Sequence, residues 1–219
     1  MRNPATRPNF DAIILDMDGV LADTEPFHVR AWMETISGID PTAVYEERGR
    51  LMGMASSEIA EKLIRQFRLE ITALDLVDRK RAAYRSIIEK GVRPFDGLPE
   101  ELAHWRSYPL ALATSSTRME TEFMLAMLGF NRMLSPVITS DDVRRTKPAP
   151  DCYLLAAERL GRHPGDCIVL EDSPNGMLAA IEAGTQVLAI TNKDPASLPE
   201  GILTVFPSAV EALRWLRSA

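Results

Sequence analysis

The apolar positions of the chain fall into two rhythms. Ala12 to Leu15 form a short aliphatic run that stops at Asp16-Met17-Asp18-Gly19, which predicts a buried strand followed by a turn. Runs of the same kind recur at Leu110 to Thr114, Val137 to Thr139, Cys167 to Leu170 and Gln186 to Thr191. Their continuous aliphatic character suits parallel strands covered on both faces. Helical patterns separate the runs. Thr117 to Leu128 opens with the capping-box spacing Thr117-x-x-Glu120 and ends before Gly129. Asp151 to Leu160 follows Pro150 and precedes Gly161, Pro174 to Ala183 precedes Gly184, and a last helix is predicted over Ser208 to Leu216. From residue 110 onward, strand and helix therefore alternate as in a doubly wound α/β domain with a Rossmann-like parallel sheet.

Residues 26–92 break that rhythm. His28 to Ile36, Ser56 to Phe67 and Thr72 to Lys90 read as helices with no strand between them. The economical organisation is a discontinuous α/β core of residues 1–25 and 93–219 carrying an inserted α-helical domain over 26–92. The linkers fall at Thr24-Glu25-Pro26 and Arg93-Pro94-Phe95-Asp96-Gly97, where Pro and Gly interrupt the pattern.

Composition narrows the classes. The 219 residues are 46% hydrophobic and 26% charged, ordinary values for a folded chain. With 25 Lys plus Arg against 31 Asp plus Glu, the formal charge is -6, which repels a nucleic-acid backbone. No apolar run approaches the roughly 18 residues of a membrane span, and Met1 to Asn9 lacks the apolar centre of a signal peptide. The expectation is a soluble cytoplasmic protein with neither nucleic acid nor membrane as partner. Cys152 and Cys167 form no CxxC pair and read as small core residues.

Ligands of open α/β sheets lie beyond the carboxyl ends of the strands, and four segments put polar chemistry there. Each is unremarkable alone. Asp16-Met17-Asp18-Gly19 could be a turn, although not an EF-hand loop, because its glycine comes at position four and Phe27 stands at position twelve. Thr114-Ser115-Ser116 could be a helix N-cap. Lys147, before Pro148, could be a solvated lysine, and Glu171-Asp172-Ser173 an ordinary acidic pair. Together they differ. Asp16, Asp18, Glu171 and Asp172 end two strands that would converge at one edge, and two like charges about 4 Å apart cost roughly 4 kcal/mol at an effective dielectric of about 20. Such a cluster calls for a divalent cation, and hard oxygen donors without His or Cys favour Mg²⁺. A hydroxyl turn, a lysine and a helix N-terminus beside it suit a phosphoryl group.

These segments resemble the four motifs of the haloacid dehalogenase (HAD) superfamily. Ile14 to Thr24 is similar to the first, Ala113-Thr114-Ser115-Ser116 to the second, Lys147-Pro148-Ala149-Pro150-Asp151 to the third and Leu170-Glu171-Asp172-Ser173 to the fourth. They stand in the family order, with the helical insertion in the place of its cap. Asp16, Asp18, Gly19 and Asp23 alone would recur by chance about once in 10⁵ positions at ~6% usage each. The resemblance implies that Asp16 is a nucleophile forming an aspartyl-phosphate and that Asp18 is the general acid and base. It implies Mg²⁺ held by Asp16, the Asp18 carbonyl and Asp172, with Glu171 helping directly or through water. Thr114, Ser115 and Lys147 would hold the phosphoryl oxygens. A dehalogenase of the family lacks the second aspartate, so Asp18 favours phosphoryl transfer.

The insertion most resembles the cap of the β-phosphoglucomutase and sugar-phosphatase branch. There His28 stands where a mutase histidine assists the acid–base aspartate, and Lys80 where a lysine touches substrate, although such charges ordinarily line a solvated helix face. Trp32 reads first as cap core, while Met52 and Met54 suit an apolar substrate contact and core packing equally. Two departures count against a mutase. Glu25 replaces an alanine, and Gly53-Met54-Ala55-Ser56 puts Ser56 where an arginine grips a second phosphate. Arg48 or Arg50 could replace that arginine. The implied activity is therefore a phosphatase for a small phosphorylated metabolite, with a phosphomutase second. A non-catalytic binding domain is third, and it would be signalled by loss of Asp16, Asp18, Lys147 or Asp172, all of which are present. A capped enzyme of this size can work as a monomer, with a dimer left open.

Overall fold

A computed structural model describes residues 8–36, 40–51, 54–89 and 91–218, apart from the side chains of 41 and 48–51. Six strands form one parallel sheet: β1 (Ala12–Leu15), β2 (Leu110–Ala113), β3 (Val137–Ile138), β4 (Cys167–Glu171), β5 (Gln186–Ile190) and β6 (Ile202–Phe206), in the order β3-β2-β1-β4-β5-β6. Strand β1 lies between β2 and β4, so the chain leaves it toward one side of the sheet and returns on the other. That reversal is where open α/β sheets bind ligands. The register matters as much as the order. Leu15 pairs with Leu112 of β2 and with Leu170 of β4, which brings Asp16, Ala113 and Glu171 to one level.

Nine helices are described: α1 (Glu25–Thr35), α2 (Pro41–Leu51), α3 (Ser56–Phe67), α4 (Ala73–Ile88), α5 (Leu98–His104), α6 (Arg118–Leu128), α7 (Asp151–Leu160), α8 (Pro174–Glu182) and α9 (Ala209–Arg217). Gly129 and Gly161 end α6 and α7 in the left-handed conformation, as their positions in the sequence predict. Alternate strand residues separate into two cores. Ile13, Leu15, Leu112, Ile168 and Leu170 pack with α5, α6 and α9 on one face. Ala12, Ile14, Ala113, Cys167 and Val169 pack with α7 and α8 on the other. Cys152 and Cys167 are buried free thiols of this second core. A third cluster, with Trp32, Ile59, Leu63 and Leu76, joins α1 to α4. No described helix is long and apolar enough to cross a membrane.

The structure adds three elements to those read from sequence. Strand β6 is a half-buried edge strand, and its run Ile202 to Phe206 between Gly201 and Pro207 carried an ordinary strand signal. Helix α2 has only Val44 as a described buried apolar residue, so its pattern is faint. Helix α5 is only two turns long. It is held to α9 by Glu101, which is 3% exposed and accepts from Arg217 Nε at 3.0 Å and Nη2 at 3.3 Å.

Burial favours the neutral form of Glu101, but the Arg217 guanidinium outweighs it and holds the carboxyl below its ordinary value. The sign follows from that depression: the stabilisation is present above the unfolded-state pKa of about 4.3 and is lost as pH falls through the folded-state value. Glu101→Gln should cost about 1–3 kcal/mol near pH 7. Denaturant titrations should show the gap between variant and wild type shrinking below about pH 4.

Candidate active site

The loop after β1 is held from below. Met17, Val20, Leu21 and Ala22 are buried in or beneath the sheet core, and Gly19 N–H donates to the Ala22 carbonyl at 2.9 Å. Gly19 has φ +75°, and a β-carbon there would overlap the Asp172 carboxylate. Glycine is therefore demanded twice, by backbone conformation and by the approach of the β4 loop. Asp16, 6% exposed, continues β1 and donates its N–H to the Leu170 carbonyl at 3.0 Å.

Lys147 reaches across to this level. Its ammonium donates to Asp16 Oδ1 at 2.6 Å, Glu171 Oε2 at 2.8 Å and the Ala113 carbonyl at 3.1 Å, which uses all three of its donors. It is buried, so the solvated-lysine alternative does not hold. Glu171 is also fully engaged. Its Oε2 takes a hydrogen bond from the Tyr153 hydroxyl, and its Oε1 accepts from Ser173 N at 3.0 Å, Ser173 Oγ at 2.9 Å and Asp172 N at 3.1 Å. The Ser173 hydroxyl in turn caps α8 by accepting from Gly176 N at 3.1 Å. Tyr153 is the residue that sequence reasoning missed. It lies on the buried face of α7, with Lys147 Nζ 4.8 Å from its ring centroid, and nothing in sequence separates it from a core aromatic.

The second aspartate has partners of its own. Asp18 Oδ1 accepts from Thr24 Oγ1 at 2.5 Å and lies 3.3 Å from His28 Nε2, while Ser116 Oγ donates to Oδ2 at 3.4 Å. Thr24 precedes α1 but gives its hydroxyl to Asp18 rather than to the helix. His28 is stacked on Tyr84 with 4.1 Å between centroids. The ring from α4 fixes the imidazole that α1 presents.

Thr114 follows β2, and its Oγ1 accepts from Ser116 N at 3.0 Å, closing a tight turn. Ser115 lines a cavity shared with Asp16, Asp18, Lys147 and Asp172, and its Oγ is buried with no hydrogen-bond partner among the described residues. An unmatched donor there suits an anionic ligand. Thr114 is not the cap of the next helix; Thr117 is. Asp23 is exposed and takes no part in the site.

Electrostatics divide the carboxylates. Burial, reinforced by Glu171, pushes Asp16 up to about 8 against the opposing Lys147. Burial with Glu171 and Asp16 also raises Asp172 well above its ordinary value. For Glu171, burial is overcome by Lys147 and the hydrogen bonds, and its pKa falls. For Asp18, burial is overcome by His28 and Thr24, leaving a carboxyl at about 2. Two acids of one cluster thus resist ionisation while a third carries its charge. Asp16, Glu171 and Asp172 each bring an oxygen within 4.8 Å of the others, a hard, all-oxygen set that fits Mg²⁺. The Asp18 carboxylate lies outside that group.

The same cavity is lined by Glu25, His28, Trp32, Met54 and Ser56 from the helical segment. Trp32 is both cavity wall and helical core. Gly53 and Met52 lie outside the described residues, as do the side chains of Arg48 and Arg50. Lys80 departs from both sequence-based expectations. It neither lines the cavity nor sits on a solvated face: it is 1% exposed, with its ammonium 3.5 Å from Ser56 Oγ and 3.6 Å from Glu120 Oε1. Its ammonium lies 5.9 Å from the ring centroid of Trp32 and 4.6 Å from that of Tyr84, and Glu120 compensates the charge.

Residues 10–184 match the family model of haloacid dehalogenase-like hydrolases. The chain belongs to this family. Within it, the chain is 32% identical over 182 residues to fructose-1-phosphate phosphatase YqaB of Escherichia coli (strain K12), covering 83% of this chain and 96% of that protein. It is 30% identical over 178 residues to the phosphorylated carbohydrates phosphatase of Thermotoga maritima, covering 80% and 82%. The crystal structure of a putative β-phosphoglucomutase from Thermotoga maritima superposes with a TM-score of 0.75 at 27% identity, over 96% of this chain and all of that one. The chain is thus a HAD hydrolase of the sugar-phosphatase and β-phosphoglucomutase-like branch, as its motifs imply.

A cation bound by the acidic set should stabilise the fold. Mg²⁺ at a hundredfold excess over its Kd should add about 2.7 kcal/mol, an upward Tm shift of about 5–11 °C. Thermal melts with and without chelator read it, and Asp172→Asn should lose most of the Mg²⁺-dependent part while staying folded.

Proposed function

We propose that the protein is a phosphatase that hydrolyses a small phosphomonoester, a sugar phosphate or similar metabolite, through a phosphoryl group carried on Asp16. The observation that carries the reading is the placement of Asp16 against Lys147, with Asp18 two residues on and turned to a separate set of partners. A nucleophile and an acid–base group are needed on opposite sides of the transferring phosphorus, and this division supports those roles. The names of the similar phosphatases of Escherichia coli and Thermotoga maritima put phosphorylated carbohydrates first as substrates.

In this reading the carboxylate form of Asp16, which Lys147 and a cation held beside it would favour against burial, attacks phosphorus, and the bond from phosphorus to the ester oxygen breaks. Asp18 gives the departing oxygen its proton. Free Asp18 is held ionised by His28 and Thr24, so it gains that proton when the phosphate dianion enters beside it and raises its pKa. Asp18 then takes a proton from water, the water oxygen bonds to phosphorus, and inorganic phosphate leaves with Asp16 restored. Lys147 compensates charge on Asp16 and orients it, while Thr114 and Ser115 take the phosphoryl oxygens. Mg²⁺, held by Asp16, the Asp18 carbonyl and Asp172, with Glu171 supporting them, would supply further neutralisation of phosphoryl charge. Residues 26–92 act as a cap that closes over the ester and excludes bulk water.

The test is phosphate release over a panel of small phosphomonoesters with Mg²⁺, wild type beside Asp16→Asn. Release should fall by at least about 10³-fold in the variant with the fold retained; normal turnover would remove the nucleophile. Conversion of β-glucose 1-phosphate to glucose 6-phosphate with little free phosphate would instead establish a mutase. Ser56 lines the cavity, so Ser56→Arg should tighten bisphosphate binding by about tenfold or more. Unchanged affinity would show that the second phosphate does not reach that wall.

A further inference from the structure

Helix α6 starts directly after the Thr114–Ser116 turn, and Glu120 governs that start. Its Oε2 accepts from the Thr117 N–H at 3.2 Å and from the Thr117 hydroxyl at 2.8 Å. Its Oε1 points the other way, toward α4. There Lys80 Nζ lies at 3.6 Å and Arg81 Nε at 3.9 Å. Oε1 and Arg81 Nε are both buried with no hydrogen bond among the described residues. Charge-assisted N–H···O bonds close at about 2.7–2.9 Å, so one carboxylate oxygen stands just short of two cations carried by another element.

Helix capping does not require this arrangement. A capping glutamate needs one oxygen for the helix start, and its other oxygen is satisfied by water when exposed. The Glu120 side chain is 9% exposed and the Lys80 side chain 1%. Stability does not require it either, because apolar residues of similar volume often serve a buried position as well as an ion pair. The pair does, however, stand between two parts of the site. Lys80 donates to Ser56 on the cavity wall at 3.5 Å and lies 4.6 Å from the ring centroid of Tyr84, the ring that supports His28. On its other side, Glu120 holds the residue that follows the hydroxyl turn.

We infer that Glu120 is a positioning residue that couples the helical segment to the phosphate-binding turn. Movement of α4 toward α6 brings Lys80 and Arg81 onto Oε1. The same carboxylate, through Oε2, then tightens Thr117 and the turn that presents Thr114 and Ser115. Anion binding on the turn and approach of α4 favour each other by one reciprocal coupling. This inference rests on the reading of Thr114 to Ser116 as a phosphate-binding turn.

The experiment is calorimetric titration of inorganic phosphate, with Mg²⁺ present, into wild type, Lys80→Met, Glu120→Gln and the double variant. Glutamine keeps an oxygen for Thr117 and removes the charge. Lys80→Met should weaken phosphate binding by about fivefold or more in the wild-type background and less than about twofold in the Glu120→Gln background. A purely structural role for the pair would leave the phosphate Kd of folded Lys80→Met unchanged, and that result would overturn the inference. Equal losses in both backgrounds would also overturn it, because Lys80 would then act on the anion without Glu120. A wild type that binds no phosphate would refute the reading of the turn, and this inference with it. Should Glu120→Gln not fold, amide hydrogen exchange in Lys80→Met decides. Faster exchange at residues 117–120, with residues 152–156 unchanged, supports the coupling, and no change at 117–120 overturns it.

Discussion

The site depends on one ammonium group held between two buried carboxylates. Lys147 bonds both Asp16 and Glu171 where all three side chains are buried, and without it the end of β1 and the end of β4 would repel each other at close range. That one cation does not balance the cluster, which also holds Asp172. Burial, reinforced by the neighbouring carboxylates, raises Asp16 and Asp172, and the all-oxygen set fits a divalent metal. Around it, Tyr153, Ser173 and the bare backbone of Gly176, where a β-carbon would overlap Glu171, hold that carboxylate immobile. The rigidity of Glu171 fixes Lys147, and Lys147 fixes Asp16.

The sheet makes this contact possible. Parallel pairing in register at Leu15, Leu112 and Leu170 brings three strand ends to one level. Each strand then releases its first polar residue there. A one-residue slip of β1 would reverse its faces and carry Asp16 out of line with Glu171. The burial of both faces, alternate residues of each strand belonging to different cores, holds the register, so the two cores and the site are specified by the same strands.

The helical segment contributes a different kind of control. Its residues reach Asp18 by way of His28 and Tyr84, and they reach the hydroxyl turn by way of Lys80 and Glu120. Asp18 and the Thr114–Ser116 turn are therefore both joined by side-chain contacts to α1 and α4. A site built this way can be shut off from water without moving Asp16, which stays with the sheet.

The local chemistry was legible in the sequence by itself. Short aliphatic runs ending in Asp16-Met17-Asp18-Gly19 and Glu171-Asp172-Ser173, the helix stops at Gly129 and Gly161, and Lys147 before proline are all written in neighbouring residues, because strand ends and helix caps are set by a few positions. Distant partners that lie outside those motifs were not legible. Tyr153 looks like any core aromatic until β4 places Glu171 beneath it, 18 residues away in sequence. Lys80 looks like a surface lysine until α6 places Glu120 beside it. Whether a charged side chain meets solvent, substrate or an opposite charge depends on what the rest of the fold packs against it, and only the tertiary structure decides that.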